Sequence, residues 1–255
     1  MDVINFSYTQ FLGFYCLIFI PLGLLQLLNI NLKKDLLIAI TRMSLQLIII
    51  GLYLQTLFKL HIIWLNFILL FLMILFSALI ICKRTKVKFK AAAFSILLGN
   101  SIALIIILPF LLIFTLNAKP WWGAQYMIPI AGMILGNSLT VNVIALDKWH
   151  SSVKEKHNEY QFFLAIGTKN PNLPFMRQAV KSAIEPQIAN MMGVGIVFLP
   201  GIMTGQILSG TSPLLAVKYQ SILFVAIFTS AMISVCTTLF LLSRDSFDSY
   251  GRLRW

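Results

Sequence analysis

Long apolar runs separated by short polar intervals pattern this chain from end to end. Seven runs are long enough to cross a bilayer as helices: roughly Phe11–Leu28, Leu36–Leu57, Ile62–Cys82, Ala91–Leu116, Tyr126–Ala145, Ile184–Gln206 and Leu214–Leu242. About 20 consecutive apolar residues suffice to span the hydrocarbon core as a helix. The pattern therefore predicts an all-α polytopic membrane protein of about seven transmembrane helices, with residues 1–255 forming one transmembrane domain. The longest polar interval, about 146–183, is too short and too polar for an independent domain. It reads as a helix, the turn GTKNPNLP and a second, basic helix, punctuated by Gly167, Pro171 and Pro174. The stretch SAIE (Ser182 to Glu185) predicts a capping box that opens the sixth span, with Pro186 in its first turn.

Composition narrows the class. Hydrophobic residues make up 59% of the chain and charged residues 11%, at a mean hydropathy of +0.88, which excludes an ordinary soluble domain. The formal net charge of +12 would suggest nucleic acid, but the distribution of charge argues against it. Sixteen of the 20 basic residues fall between spans one and two, three and four, five and six, or after span seven. By the positive-inside rule this places the N-terminus outside and the C-terminus in the cytoplasm, and makes the basicity a topology signal. No basic flank precedes the first span, where Asp2 is the sole charge, so no cleaved signal peptide is expected. Cys16, Cys82 and Cys236 are isolated, and His61 is predicted on the opposite side from His150 and His157, so no metal set is assigned. Trp121 and Trp122 suit an outer interfacial anchor.

The spans carry almost no ionisable groups. Proton-coupled carriers usually hold Asp, Glu or His chains within the membrane; here Arg42 can snorkel and Glu185 is absorbed by the capping box. There is no G-x-x-x-x-G-K-[ST] loop, so this chain has no such site for ATP, and no catalytic triad or paired carboxylate marks an enzyme. What remains is neutral: Gln46, Asn100, Asn137, Ser138, Thr140, Asn142, Asn190, Thr204 and Gln206, beside Met133, Met191, Met192 and Met203. The tetrapeptide LGNS occurs twice, placing Asn100 about 13 Å into span four and Asn137 about 16 Å into span five, both near the midplane. Pro129 and Pro200 each precede a G-x-x-x-G (Gly132 and Gly136; Gly201 and Gly205), a spacing that lets helix backbones approach. Pro200–Gly201 is expected to break or bend span six. Asn100, Met133, Asn137, Met203, Thr204 and Gln206 thus form a candidate ladder of weak ligands from midplane to exterior; the competing reading is helix packing.

The same residues carry a family likeness. RMSLQLIIIGLYL (Arg42 to Leu54), MIPIAGMILGNSLT (Met127 to Thr140), NMMGVGIVFLPGIMTGQILSG (Asn190 to Gly210) and PLLAVKYQ (Pro213 to Gln220) resemble the FetB-like family of iron-export ABC permeases, which includes plant proteins linked to aluminium tolerance. The likeness covers about residues 35–242. It implies a homodimeric, non-catalytic permease subunit in the cell membrane. Such a subunit would export a metal cation, with iron favoured, and pair with a separate ABC ATPase that holds the ATP and Mg; this chain itself would carry no cofactor. QFFLAIGTKNPNLPFMRQAV resembles the coupling segment of ABC permeases, with Ala165 and Gly167 at matching positions, Gln161 in place of its glutamate and Phe162–Phe163 in place of its alanines. Gln161, Gly167, Thr168, Pro171, Pro174 and Phe175 are therefore the expected ATPase-coupling residues. The alternatives are a self-sufficient channel or secondary carrier for a cation, and a non-transporting scaffold.

Overall fold

A computed structural model describes residues 7–60, 62–85, 89–168 and 170–246. Among the described residues the regular structure is ten α-helices: α1 (Tyr8–Tyr15), α2 (Phe19–Leu27), α3 (Lys33–Leu60), α4 (Ile63–Arg84), α5 (Phe89–Pro109), α6 (Ala124–Glu155), α7 (His157–Ala165), α8 (Leu173–Gly193), α9 (Gly201–Leu208) and α10 (Pro213–Asp245). A 3₁₀ turn over Cys16–Ile18 joins α1 to α2. A π-helical turn over Phe110–Thr115 follows Pro109, which has no N–H to give to the regular ladder. Among the described residues five helices are long and apolar enough to cross a membrane: Lys33–Leu57, Ile63–Arg84, Ala92–Thr115, Ala124–Glu155 and Pro213–Arg244. Gly13–Leu27 is a shorter apolar helix. The chain is an all-helical membrane protein.

The described residues form two compact units. The first runs to Leu60 and takes in Leu208–Gly210. Within it, the Tyr15 hydroxyl lies 2.9 Å from Ser44 Oγ, tying α1 to α3. Leu45, Leu47, Ile48 and Ile49 on α3 are all exposed, the inverse of a soluble helix and what lipid as solvent allows.

The second unit is a bundle of α4, α5, α6 and α10, with α8 laid on α6. Its core has two apolar clusters. One gathers Ile81, Ile96, Leu146, Trp149 and Leu239; the other gathers Leu104, Leu112, Met127, Ile134 and Leu223. Between them lies a buried polar tie. Asn100 Nδ2 donates to Ser77 Oγ at 3.2 Å, Ser234 Oγ donates to Asn100 Oδ1 at 2.7 Å, and Asn142 Nδ2 donates to Ser234 Oγ at 2.8 Å. Four helices are thereby pinned in one register. Such interhelical bonds contribute only about 0.6 kcal/mol each on average, so their effect is on alignment more than on total stability. Gly99 sits at the crossing of α5 and α10, where a Cβ would fall 2.7 Å from the Ser234 carbonyl oxygen and would also strike Thr238 Oγ1.

Span six departs from the sequence expectation. The capping box at Ser182–Glu185 does not form, because α8 already starts at Leu173, after Asn172 and with Pro174 in its first turn. The NPN turn supplies the start nine residues earlier than the predicted cap, so Ser182, Glu185 and Pro186 are all interior to α8. Glu185 instead approaches Lys181 at 3.7 Å, an exposed i,i+4 pair. The break also comes earlier than Pro200. α8 ends at Gly193, and Gly195 takes φ +82°, a left-handed conformation that only glycine adopts cheaply. Gly195 N–H donates to the Phe198 carbonyl at 2.9 Å, closing a turn whose Ile196 and Val197 are 89% and 80% exposed. Pro200 then opens α9: its carbonyl accepts both the Thr204 N–H (2.9 Å) and the Thr204 hydroxyl (3.1 Å). The apolar IVFL run had made two helices and a turn look like one span. Span five runs the other way, since α6 continues unbroken past Ala145 to Glu155.

Candidate functional site

A small cleft opens between α6, α8 and α10, lined by Asn137, Gln187, Asn190, Met191, Phe224 and Phe228 among others. Asn137 stands about 20 Å along α6 from its start, deep in the apolar run. Its Nδ2 donates to the Met133 carbonyl on its own helix at 2.9 Å, which leaves the amide oxygen uncommitted by that bond. Gln187 Oε1 is enclosed and has no hydrogen-bond partner among the described residues. Asn137, Thr140, Asn190 and Met191 are exposed on the surface of the single chain. Exposed amides at membrane depth are costly against lipid, so such a face belongs against protein or a water-filled cavity. The cleft thus offers amide oxygens and one thioether, with no carboxylate: a weak, neutral donor set. No group of three or more His, Cys, Asp or Glu poised for a metal ion occurs among the described residues.

The ladder expected from the sequence is divided. Asn100 is 1% exposed and is committed at both ends of its amide to the tie with Ser77 and Ser234. Asn137 points to the cleft on another face, so the structure does not bring the two LGNS asparagines together. Helical geometry explains this: Asn142, five residues after Asn137, is the α6 asparagine that joins the tie, and five residues turn a helix by about 140°. Met133 is half-buried, and Met203 is buried on α9 beside half-buried Thr204 and Gln206. Of the four G-x-x-x-G glycines, Gly132 has one near neighbour, the flexible Met73 Cε at 3.3 Å from a built Cβ; Gly136, Gly201 and Gly205 have nothing within 4 Å. Three of the four glycines therefore have open space beside them among the described residues. Gln187 was not singled out in the sequence, although an amide following a proline within a helix was a usable signal. Ser77 and Ser234 carried none, since serine is common in apolar helices.

The expected coupling turn has a defined local cause. Gly167 takes φ +71° after α7; its N–H donates to the Leu164 carbonyl at 3.0 Å and Thr168 N–H to the Phe163 carbonyl at 3.1 Å. These two bonds are a Schellman motif with glycine at the left-handed position. Gln161, Gly167, Thr168 and Pro174 are exposed and Pro171 is half-buried. Phe175 is placed inside instead: 2% exposed, with ring centroids 5.9 Å from Tyr160 and 6.4 Å from Phe163. It holds the turn from beneath and presents no docking surface. The turn is also fastened to α6, because Trp149 Nε1 donates to Asn172 Oδ1 at 2.8 Å, both residues being buried. Asn172→Ala should therefore lower stability by about 1 kcal/mol, the usual net contribution of one hydrogen bond. A thermal melt of the detergent-solubilised chain checks this; an unchanged midpoint would show the bond to be dispensable.

The sequence profile of a family described as "Uncharacterised protein family (UPF0014)" matches residues 8–247. "UPF0014 membrane protein slr1647" of Synechocystis sp. is 30% identical over 220 residues, 85% of each chain. "Protein ALUMINUM SENSITIVE 3" of Arabidopsis thaliana is 31% identical over 218 residues, covering 84% of this chain and 77% of the relative. "Probable iron export permease protein FetB" of Escherichia coli is 27% identical over 230 residues, 88% and 86% of the two chains. No solved structure matches.

Proposed function

This chain belongs to the UPF0014 family, and on that premise we propose that it is the membrane-spanning permease subunit of an ABC transporter that exports a metal cation. The observation that carries the reading is the cleft of neutral donors between α6, α8 and α10. Amide oxygens and a thioether bind a cation weakly enough to release it, which a conducting pathway requires. Iron is the favoured cargo because the relative from Escherichia coli is named as an iron export permease. In this proposal the cation passes Asn137, Gln187, Asn190 and Met191, then Met133, and leaves by Met203, Thr204 and Gln206. Asn100 serves as a helix tie. Both compact units belong to one permease in the plasma membrane, with the N-terminus outside and the C-terminus in the cytoplasm.

A second copy completes the site. The exposed face carrying Gly136, Asn137 and Thr140 is unsuited to lipid, and glycines with open space beside them allow another helix to approach. The energy comes from a separate ABC ATPase that binds ATP and Mg and docks on the Gly167–Pro174 turn. The reading is tested by purifying the chain with its ATPase in proteoliposomes and measuring ATP hydrolysis across a series of divalent metals. Stimulation by one or a few metals supports it; hydrolysis indifferent to every metal, or leak of cations through the chain alone, overturns it. Gly167→Val should reach the membrane folded yet lose nearly all coupled transport. A β-branched residue at φ +71° costs about 1–2 kcal/mol or more, and relieving it re-aims the turn. Wild-type transport by that variant would remove the turn from the coupling role.

A further inference from the structure

On another face of the second unit, α5, α8 and α10 border an open groove of about 810 Å³. Its walls are apolar over most of their length, with Leu98, Ile102, Val180, Phe240 and Leu241 among the lining residues. Two cations also line it, Arg177 and Lys181, four residues apart on α8 and hence on one side of that helix. Arg177 makes no ion pair among the described residues. Lys181 has only the exposed contact to Glu185 at 3.7 Å, so the groove keeps a net positive charge. The size lies within the ~300–1,000 Å³ of sites that hold one small organic molecule.

We propose that this groove binds one anionic phospholipid, with an acyl chain along Ile102, Val180 and Phe240 and the phosphate held between Arg177 and Lys181. Charge complementarity selects the occupant. A free phosphate would satisfy the two cations and leave the apolar walls empty; a zwitterionic lipid would fill the walls and bring its own cation beside them. In the proposed dimer a second copy sits on a different face, the one carrying Gly136, Asn137 and Thr140, so it does not compete for this groove. The position suits a lipid of the basic leaflet: α8 begins beside Trp149, to which Asn172 is bonded, at the end of the bundle that carries Lys148 and Lys154. Because α8 continues directly from the Gly167–Pro174 turn, an occupied groove would also brace that turn.

The test uses the full-length chain in mild detergent, with dioleoyl phosphatidylglycerol and dioleoyl phosphatidylcholine as matched probes and native mass spectrometry as the readout. The expected result is one phosphatidylglycerol retained per chain in preference to phosphatidylcholine, undisturbed by glycerol 3-phosphate. Arg177→Gln with Lys181→Gln should weaken that retention about thirtyfold, from the usual contribution of a basic residue to anionic-lipid binding. Glu185→Gln should strengthen it by freeing Lys181, and serves if the double variant does not fold. Val180→Trp, which fills the groove, should lose both lipids. Cys236 also lines the groove and is a free thiol, so phosphatidylglycerol should slow its maleimide labelling in the unaltered chain. Equal retention of the two lipids, or phosphatidylglycerol retention unmoved by the charge variants, overturns the proposal. So does displacement by glycerol 3-phosphate, or cross-linking of Cys236 between two copies. None of these outcomes depends on which cation is transported, or on whether one is.

Discussion

Asn137→Leu combined with Gln187→Leu is expected to abolish metal-stimulated ATP hydrolysis by the proposed permease–ATPase assembly while leaving basal hydrolysis and folding intact. The fold should tolerate the change. Asn137 bonds only to the Met133 carbonyl of its own helix, and Gln187 Oε1 has no partner among the described residues. Leucine is also a better helix former than asparagine by a few tenths of a kcal/mol or more. What the variant removes is donor oxygen from the cleft. Loss of even ~1.4 kcal/mol of cation binding is a tenfold change, and two of the three cleft amides go at once. The expected effect is therefore a loss of at least about tenfold in metal stimulation, measured as hydrolysis with and without metal on the same preparation. Undiminished stimulation in a folded, assembled variant would reject the cleft as the pathway and leave packing as the role of these amides.

The second large effect concerns the two LGNS glycines, which the sequence presents as equivalents. Gly99→Ala should destabilise the chain by about 1–3 kcal/mol or more, the usual cost of overpacking. Helix propensity pulls the other way, since alanine exceeds glycine by about 1 kcal/mol in a helix interior. Geometry decides the sign. The new Cβ would lie 2.7 Å from the Ser234 carbonyl oxygen, and a backbone atom cannot rotate aside as a side chain can. Relief requires α5 and α10 to part, which strains the adjoining bond between Ser234 and Asn100. Gly136→Ala meets no atom of another element within 4 Å among the described residues, so propensity alone acts and the isolated chain should hold or gain stability. Thermal melts of the two variants side by side test the contrast; equal shifts would refute it. If Gly136 lies at a contact with a second copy, Gly136→Leu should weaken dimer cross-linking while leaving the melt of the single chain unaltered.

The membrane class and the helical architecture were legible because each depends on local content. Bilayer thickness fixes how long an apolar run must be, and the runs from Leu36 to Ala145 and from Leu214 to Leu242 correspond to long apolar helices. Gly167 and the punctuation around it were readable too, since a glycine after a helix has a short-range cause that the Schellman bonds make explicit. Span six was not readable in detail. Its apolar IVFL segment reads as helix by content, whereas α8 ends at Gly193 because Val194 turns extended and Gly195 takes a left-handed conformation, and the N-terminal start at Leu173 precedes the one that SAIE suggested.

By itself, then, the sequence determined that this protein lies in a membrane, that it is built of helices, and which neutral side chains its spans contain. Only the tertiary structure decided what each of those side chains touches. Asn100 and Asn137 share the same tetrapeptide and a similar depth, yet one is locked between Ser77 and Ser234 and the other borders the cleft with Gln187. Gly99 and Gly136 divide in the same way, one wedged against α10 and one facing open space. The reason is geometric. Depth along a helix follows from counting residues, but the direction a residue faces depends on which helix packs against it. That is settled by contacts between segments far apart in the chain, such as α5 with α10, which no local pattern records.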